Sequence, residues 1–158
     1  MSAFRIWLEA AYLPAFRAVG WTFVLHGGGE TRAWAGGERR VSEQRALLLA
    51  LQAALKAAPA GKDEIVLTTT NGFLATVPKT IAEASSGGEA TEEDLDLWAA
   101  LSTALAARPV KIQRTGSAAG TPAAFASAWA ELSRDRAKGG PFQLAIPKTN
   151  VAKIQGLP

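Results

Sequence analysis

The chain has 158 residues, 48% of them hydrophobic and 20% charged, which is the size and composition of one domain with a real core and excludes a disordered chain. It has no cysteine, so a disulfide scaffold and a thiolate zinc site are both excluded. The net charge of +3 is uneven: residues 1–62 hold 8 basic and 4 acidic side chains, residues 63–107 hold 1 and 8, and residues 108–158 hold 8 and 2. An acidic middle between two basic flanks fits either one polarised face or an ordinary mixed surface.

Phe4 to Leu8 alternates and starts the chain as a strand. A loop with Pro14 follows, then Val19–His26 as a second strand. Gly27-Gly28-Gly29 turns the chain and Glu30–Ala35 returns as a third, ended by Gly36-Gly37. Apolar runs joined by glycines are a hairpin signal. Ser42 caps a helix to about Ala57, with Leu47, Leu48, Leu51 and Leu55 at helical spacing; Pro59 and Gly61 stop it. Ile65–Thr69 is a short β-branched strand, and a helix over about 72–83 carries Pro78. After the Ser85–Gly88 loop, Thr91-Glu92-Glu93-Asp94 opens a helix whose inner face is Leu95, Trp98, Leu101 and Leu105, ended by Pro109. Val110–Arg114 is a strand and Gly116–Gly120 a small-residue loop. Thr121-Pro122 caps a last helix through Phe125, Trp129 and Leu132 to about Lys138. Phe142, Leu144 and Ile146 alternate in the tail.

This order implies an α/β domain over residues 1–140 and a C-terminal tail over 141–158. Its mixed five-stranded sheet has three antiparallel strands, then parallel ones reached through helices. No stretch approaches the ~20 apolar residues of a membrane span. Residues 1–9 carry Arg5 and Glu9 without a long apolar run, so a cytoplasmic protein is the expectation.

Particular words in this order resemble the ribonuclease H family. Ile6-Trp7-Leu8-Glu9 sits where the family has a strand ending in Asp-Gly-Ser. Gly20–Leu25 looks like its second strand. Ser42–Leu51 is similar to the family's Thr-Asn-Gln-Arg-Ala-Glu-Leu-Leu-Ala-Leu. Ile65–Phe73 is similar to the strand ending in Thr-Asp-Ser-Gln-Tyr, Asp96-Leu97-Trp98 to a later Asp-Leu-Trp, and Val110–Gly116 to the strand before a Val-x-Gly-His loop. The resemblance covers roughly residues 4–138.

The resemblance implies a fold that, in the family, cleaves the RNA strand of an RNA–DNA hybrid with two magnesium ions on four carboxylates. The matching positions here are Glu9, Leu47, Thr70 and Ala128, and only Glu9 is an acid. Hard cations need oxygen ligands, preferably charged, so one carboxylate cannot hold two divalent ions in register. The family's mobile histidine falls at Ser117 and Ala118. Around Ala128 the register admits a one-residue slip, with Glu131 and Asp135 as later acids. Clustered carboxylates repel one another without metal, so neutral replacements relax the fold. The expectation is a protein that is not an enzyme and has no metal or cofactor.

Other chemistry is thinner. His26-Gly27-Gly28-Gly29 matches an esterase oxyanion motif, but Gly116-Ser117-Ala118-Ala119-Gly120 puts serine one place early and no second histidine exists. A turn histidine is the better reading. Ala60-Gly61-Lys62 lacks the upstream glycine of a phosphate loop. Trp7, Trp21, Trp98 and Trp129 fall on apolar faces and read as core; Trp34, on the hairpin, is the one expected to be exposed. Leu47-Leu48-Leu49 must turn one leucine off the main core face. The family's phosphate site lies at the start of the first helix. Ser42, Gln44 and Arg45 can keep part of it, with Arg39 and Arg40 beside it, or the helix is simply capped. Arg134, Arg136 and Lys138 have a helix-dipole explanation.

Three functional readings follow. One is a nucleic-acid binder using Arg39, Arg40, Ser42, Gln44, Arg45, Lys111 and Arg114, on duplex DNA, RNA or an RNA–DNA hybrid. Another is an adaptor whose tail adds a strand to a protein partner or a second copy. A residual nuclease acting through Glu9 is a third.

Overall fold

The structure is a computed structural model describing residues 3–87 and 93–158. Strand β1 (Phe4–Leu13) runs antiparallel to β2 (Ala18–Gly27), which runs antiparallel to β3 (Glu30–Arg39). The β2–β3 loop is Gly28-Gly29, both at positive φ (62° and 79°), the backbone that a two-residue hairpin turn requires. Helix α1 (Glu43–Ala57) follows, and then β4 (Ile65–Thr69) pairs parallel to β1. Helices α2 (Gly72–Ser85) and α3 (Leu95–Ala107) lead to β5 (Val110–Arg114), parallel to β4. Helix α4 (Pro122–Ala137) comes next, then β6 (Phe142–Ala145) and the short α5 (Lys148–Val151).

The sheet has six strands in the order β5-β4-β1-β2-β3-β6, one more than the five expected. The tail supplies the extra one: β6 pairs antiparallel with β3, Phe142 opposite Gly37 and Ala145 opposite Trp34. Two strands are also longer than their patterns suggest. β1 continues past Leu8 to Leu13 because β2 pairs with it along its whole length. β3 runs through Gly36-Gly37 to Arg39, since the indole of Trp21 takes the space a side chain would fill. A Cβ on Gly36 would lie 2.2 Å from the ring.

Strand alternation divides the core between the two faces. Ile6, Leu8, Trp21, Phe23 and Leu25 pack with Leu48 and Leu51 of α1 and Leu101 of α3. On the other face Trp7, Val24, Ala33 and Ala35 pack with Ala123 and Ala126 of α4 and with Ile146 and Val151 of the tail. Helix α4 rides unusually low on the sheet: its inner face is mostly alanine, and a Cβ on Gly20 would lie 1.9 Å from the Arg134 nitrogen.

The caps expected at Ser42 and Thr121 form; each side-chain oxygen accepts a backbone N–H, from Arg45 and Ala123. Pro78 lies inside α2. The Thr91 cap, with Glu92, lies outside the described residues; Asp94, in the left-handed region (φ 58°), precedes the first turn of α3. No helix among the described residues is long and apolar enough to cross a membrane.

Candidate functional site

β1 and β4 are parallel neighbours, which brings Glu9 beside Thr70, the residue after β4. Glu9 is only 3% exposed. The Thr70 backbone N–H donates to its Oε2 at 2.8 Å, and the Thr70 hydroxyl donates to its Oε1. Both carboxylate oxygens are thus held by the protein. Thr22, opposite Glu9 on β2, has a buried hydroxyl with no hydrogen-bond partner among the described residues. Leu47 is 3% exposed and belongs to the apolar core, and Ala128 sits on the exposed side of α4, away from that helix's buried face. One carboxylate, two neutral hydroxyls and a leucine do not fit a pair of divalent cations, which need several charged oxygens. Among the described residues no group of three or more His, Asp or Glu side chains is placed to hold a metal.

Burial pushes the Glu9 carboxyl above its ordinary value of 4.5, opposed by the two bonds from Thr70. A carboxyl whose folded pKa is raised destabilises the fold once it must ionise. The penalty is absent well below pH 4.5 and fully present above the raised value. A Glu9→Gln amide keeps both Thr70 bonds, with its NH₂ donating to the hydroxyl oxygen. It should therefore raise stability at pH 7 by about 1 kcal/mol, and the gain should vanish toward acid pH. Thermal melts of both proteins across pH 4–8 check this; a variant weaker at neutral pH would overturn it.

The start of α1 is occupied by the protein itself. Gln44 Nε2 donates to Asp94 Oδ2 at 3.3 Å. Arg45 donates from Nη1 to Asp94 and Asp96, both at 3.0 Å, and from Nη2 to Asp96 at 2.9 Å. These bonds tie α1 to α3 and raise the Arg45 pKa further, the bond to Asp96 first; the same bond to Arg45 is the main reason Asp96 is lowered. Ser42 Oγ is taken by its capping bond.

The remaining expected contacts fall at opposite sides of the sheet. Lys111 and Arg114 are exposed on β5, with Arg114 lying across the start of α2 near Gly72. Arg39 and Arg40 close β3, four strand spacings or roughly 19 Å away. There the Arg40 backbone N–H donates to the Arg17 carbonyl at 3.0 Å, and α4 ends nearby with Arg134, Arg136 and Lys138. Arg17 had no local signal. The three cations of α4 already had a local explanation in the helix dipole.

Trp7, Trp21 and Trp98 are buried, as their apolar faces imply, and Trp129 is half-buried. Trp34 is half-buried too and lines a cleft of ≈ 390 Å³ with Trp21, Phe23, Leu49 and Glu38. Leu49 is the leucine turned off the main core face. His26 Nδ1 lies 2.8 Å from Thr31 Oγ1 across the hairpin turn, and Ser117 Oγ accepts the Ala119 N–H at 3.2 Å.

No protein-family model and no curated protein matches the sequence. Solved structures do match the fold. LC9-RNase H1, a type 1 RNase H with the type 2 active-site motif, aligns with a TM-score of 0.68 at 15% identity, over 95% of this chain and 79% of that one. RNase H1 from the halophilic archaeon Halobacterium salinarum NRC-1 aligns at 0.61 and 21% identity, over 85% and 98%. LC11-RNase H1, solved in complex with RNA/DNA hybrid, aligns at 0.64 and 13% identity, over 85% and 98%.

Proposed function

We propose that this chain, which has a ribonuclease H-like fold, binds nucleic acid without cleaving it. The observation that carries the reading is the Glu9–Thr70 pair: the one carboxylate at the matching positions has both oxygens satisfied by a neutral neighbour. With Leu47 buried in the apolar core, the site lacks, among the described residues, the charged oxygens that would bind two cations and stabilise attack on a phosphodiester. Binding is supported by the likeness to a structure in complex with RNA/DNA hybrid and by the basic flanks.

An adaptor role through the tail is less favoured, because β6 is paired with β3 of its own sheet. The test is fluorescence anisotropy with RNA–DNA hybrid, duplex DNA and single-stranded RNA at low and physiological salt, with magnesium and a cleavage readout in the same tubes. Binding that weakens steeply as salt rises, with the strands intact, is the expected result. Absence of binding at low salt, or cleavage that Glu9→Gln abolishes, would overturn the proposal.

A further inference from the structure

Six cations from three segments of the chain meet at the C-terminal end of α4. Arg17 follows the Pro14–Phe16 turn in the left-handed region (φ 48°), and Arg40, also left-handed (φ 62°), donates its backbone N–H to Arg17. Arg39 pairs with Ala18 and, by strand alternation, projects to the α4 face; its Nε is buried with no hydrogen-bond partner among the described residues. Helix α4 lies on this corner of the sheet, with Arg134 against Gly20 and Ala137 against Gly37. Arg136 stands 4.6 Å over the Phe142 ring, and Lys138 Nζ 5.1 Å from the Phe16 ring.

Opposing charge is sparse among the described residues. Asp135 lies 3.4 Å from Arg134 and 4.0 Å from Lys138, and Glu131 is exposed one turn earlier. Glu38 projects to the opposite sheet face, where Arg45 acts on it. The helix dipole accounts for the cations on α4, but not for Arg39 at the end of β3, Arg40 just after it, or Arg17 just before β2. Beside them Phe16 is 47% exposed, one of the few large apolar side chains left in solvent. Cations around an exposed aromatic ring match a strand whose phosphates are neutralised while an unpaired base stacks.

We infer that this corner is a contact surface for single-stranded nucleic acid: Arg17, Arg39, Arg40, Arg134, Arg136 and Lys138 face the phosphates and Phe16 stacks on a base. The inference rests on the nucleic-acid reading above and moves its site away from the start of α1 and from β5.

The test uses the full chain and short fluorescein-labelled probes: single-stranded DNA, single-stranded RNA, and the DNA duplex. The triple variant Arg40→Gln, Arg136→Gln, Lys138→Gln alters side chains whose contacts lie at the surface, the cation–π pairs with Phe142 and Phe16 among them, so it should stay folded and melt only slightly below the parent. Its affinity for either single strand should fall about 30-fold at low salt, and the log–log salt slope should flatten by about 2, near 0.7 per lost contact. Phe16→Ala should weaken single-strand binding about tenfold and leave duplex binding unchanged. Lys111→Gln with Arg114→Gln should change neither. A parent chain that binds none of the probes would overturn the nucleic-acid reading and this site with it. A parent that binds, with the triple variant unchanged and the β5 pair weakened, would overturn this site alone. Tighter duplex binding with Phe16→Ala neutral would overturn the single-strand assignment.

Discussion

Gly20→Ala is expected to destabilise the protein by about 4 kcal/mol, beyond most single substitutions, because the new methyl has nowhere to go. Its Cβ would sit 1.9 Å from the Arg134 nitrogen, 2.4 Å from the Ala130 carbonyl oxygen and 2.5 Å from the Ser133 carbonyl carbon. All three are backbone atoms of α4, so no side chain can swing aside. The helix must lift as a body, opening the contact of Ala123 and Ala126 with Trp7, Val24, Ala33 and Ala35. For a domain of this size the melting temperature should fall by about 8–16 °C. Gly116→Ala is the control, because no atom lies within 4 Å of its added carbon. A Gly20→Ala protein that melts with the control would show that α4 is not held to the sheet at this point.

Removal of residues 141–158 carries the second large effect. Ile146 and Val151 are 5% and 8% exposed, and Leu144, Ile154 and Leu157 pack around them against the α4 side of the core. Exposing the two buried side chains alone should cost about 3–6 kcal/mol at 1.5–3 kcal/mol each. The ladder lost with them, including the bond from the Ile146 N–H to the Ala33 carbonyl at 2.9 Å, leaves β3 as an open edge. Open edges recruit strands from other chains. The shortened chain should therefore melt lower and self-associate, read by calorimetry and light scattering. An adaptor tail predicts the reverse, with deletion abolishing assembly. A shortened chain that stays monomeric with an unchanged melt would overturn the covering role of β6.

Most of the element order was legible because its signals are local. Leu47, Leu48, Leu51 and Leu55 mark the buried stripe of α1, and Ser42 its cap. The course of β3 was not legible, because Gly36-Gly37 looks like a terminator unless the indole of Trp21 is known to lie across it. β6 was missed as part of the sheet for a related reason: four alternating residues say nothing of a partner strand about a hundred residues earlier. At the candidate site, the place of Glu9 and Thr70 came from the resemblance, and the parallel pairing of β1 and β4 joins them. Arg45 read as a free cation because Asp94 and Asp96 reach it from some fifty residues away. The corner at the end of α4 escaped for the opposite reason. Arg134, Arg136 and Lys138 have a local explanation in the helix dipole, Arg17 has no local signal, and Arg39 and Arg40 read as part of the α1 start, so only the fold gathers them.

The pairing of β6 with β3 also sets an order of events during synthesis. Strands β1 to β3 and α1 emerge first and form mostly local contacts, whereas the strand that closes their outer edge is translated about a hundred residues later. On a ribosome adding ~5–20 residues per second, that edge waits on the order of 5–20 s for its cover. Over that interval the nascent sheet is protected by what β3 itself carries: Arg32, Glu38 and Arg39 as charged guards, and a glycine pair poorly suited to intermolecular strand pairing. A substitution that made this strand more apolar would leave the finished molecule little changed and lower its yield.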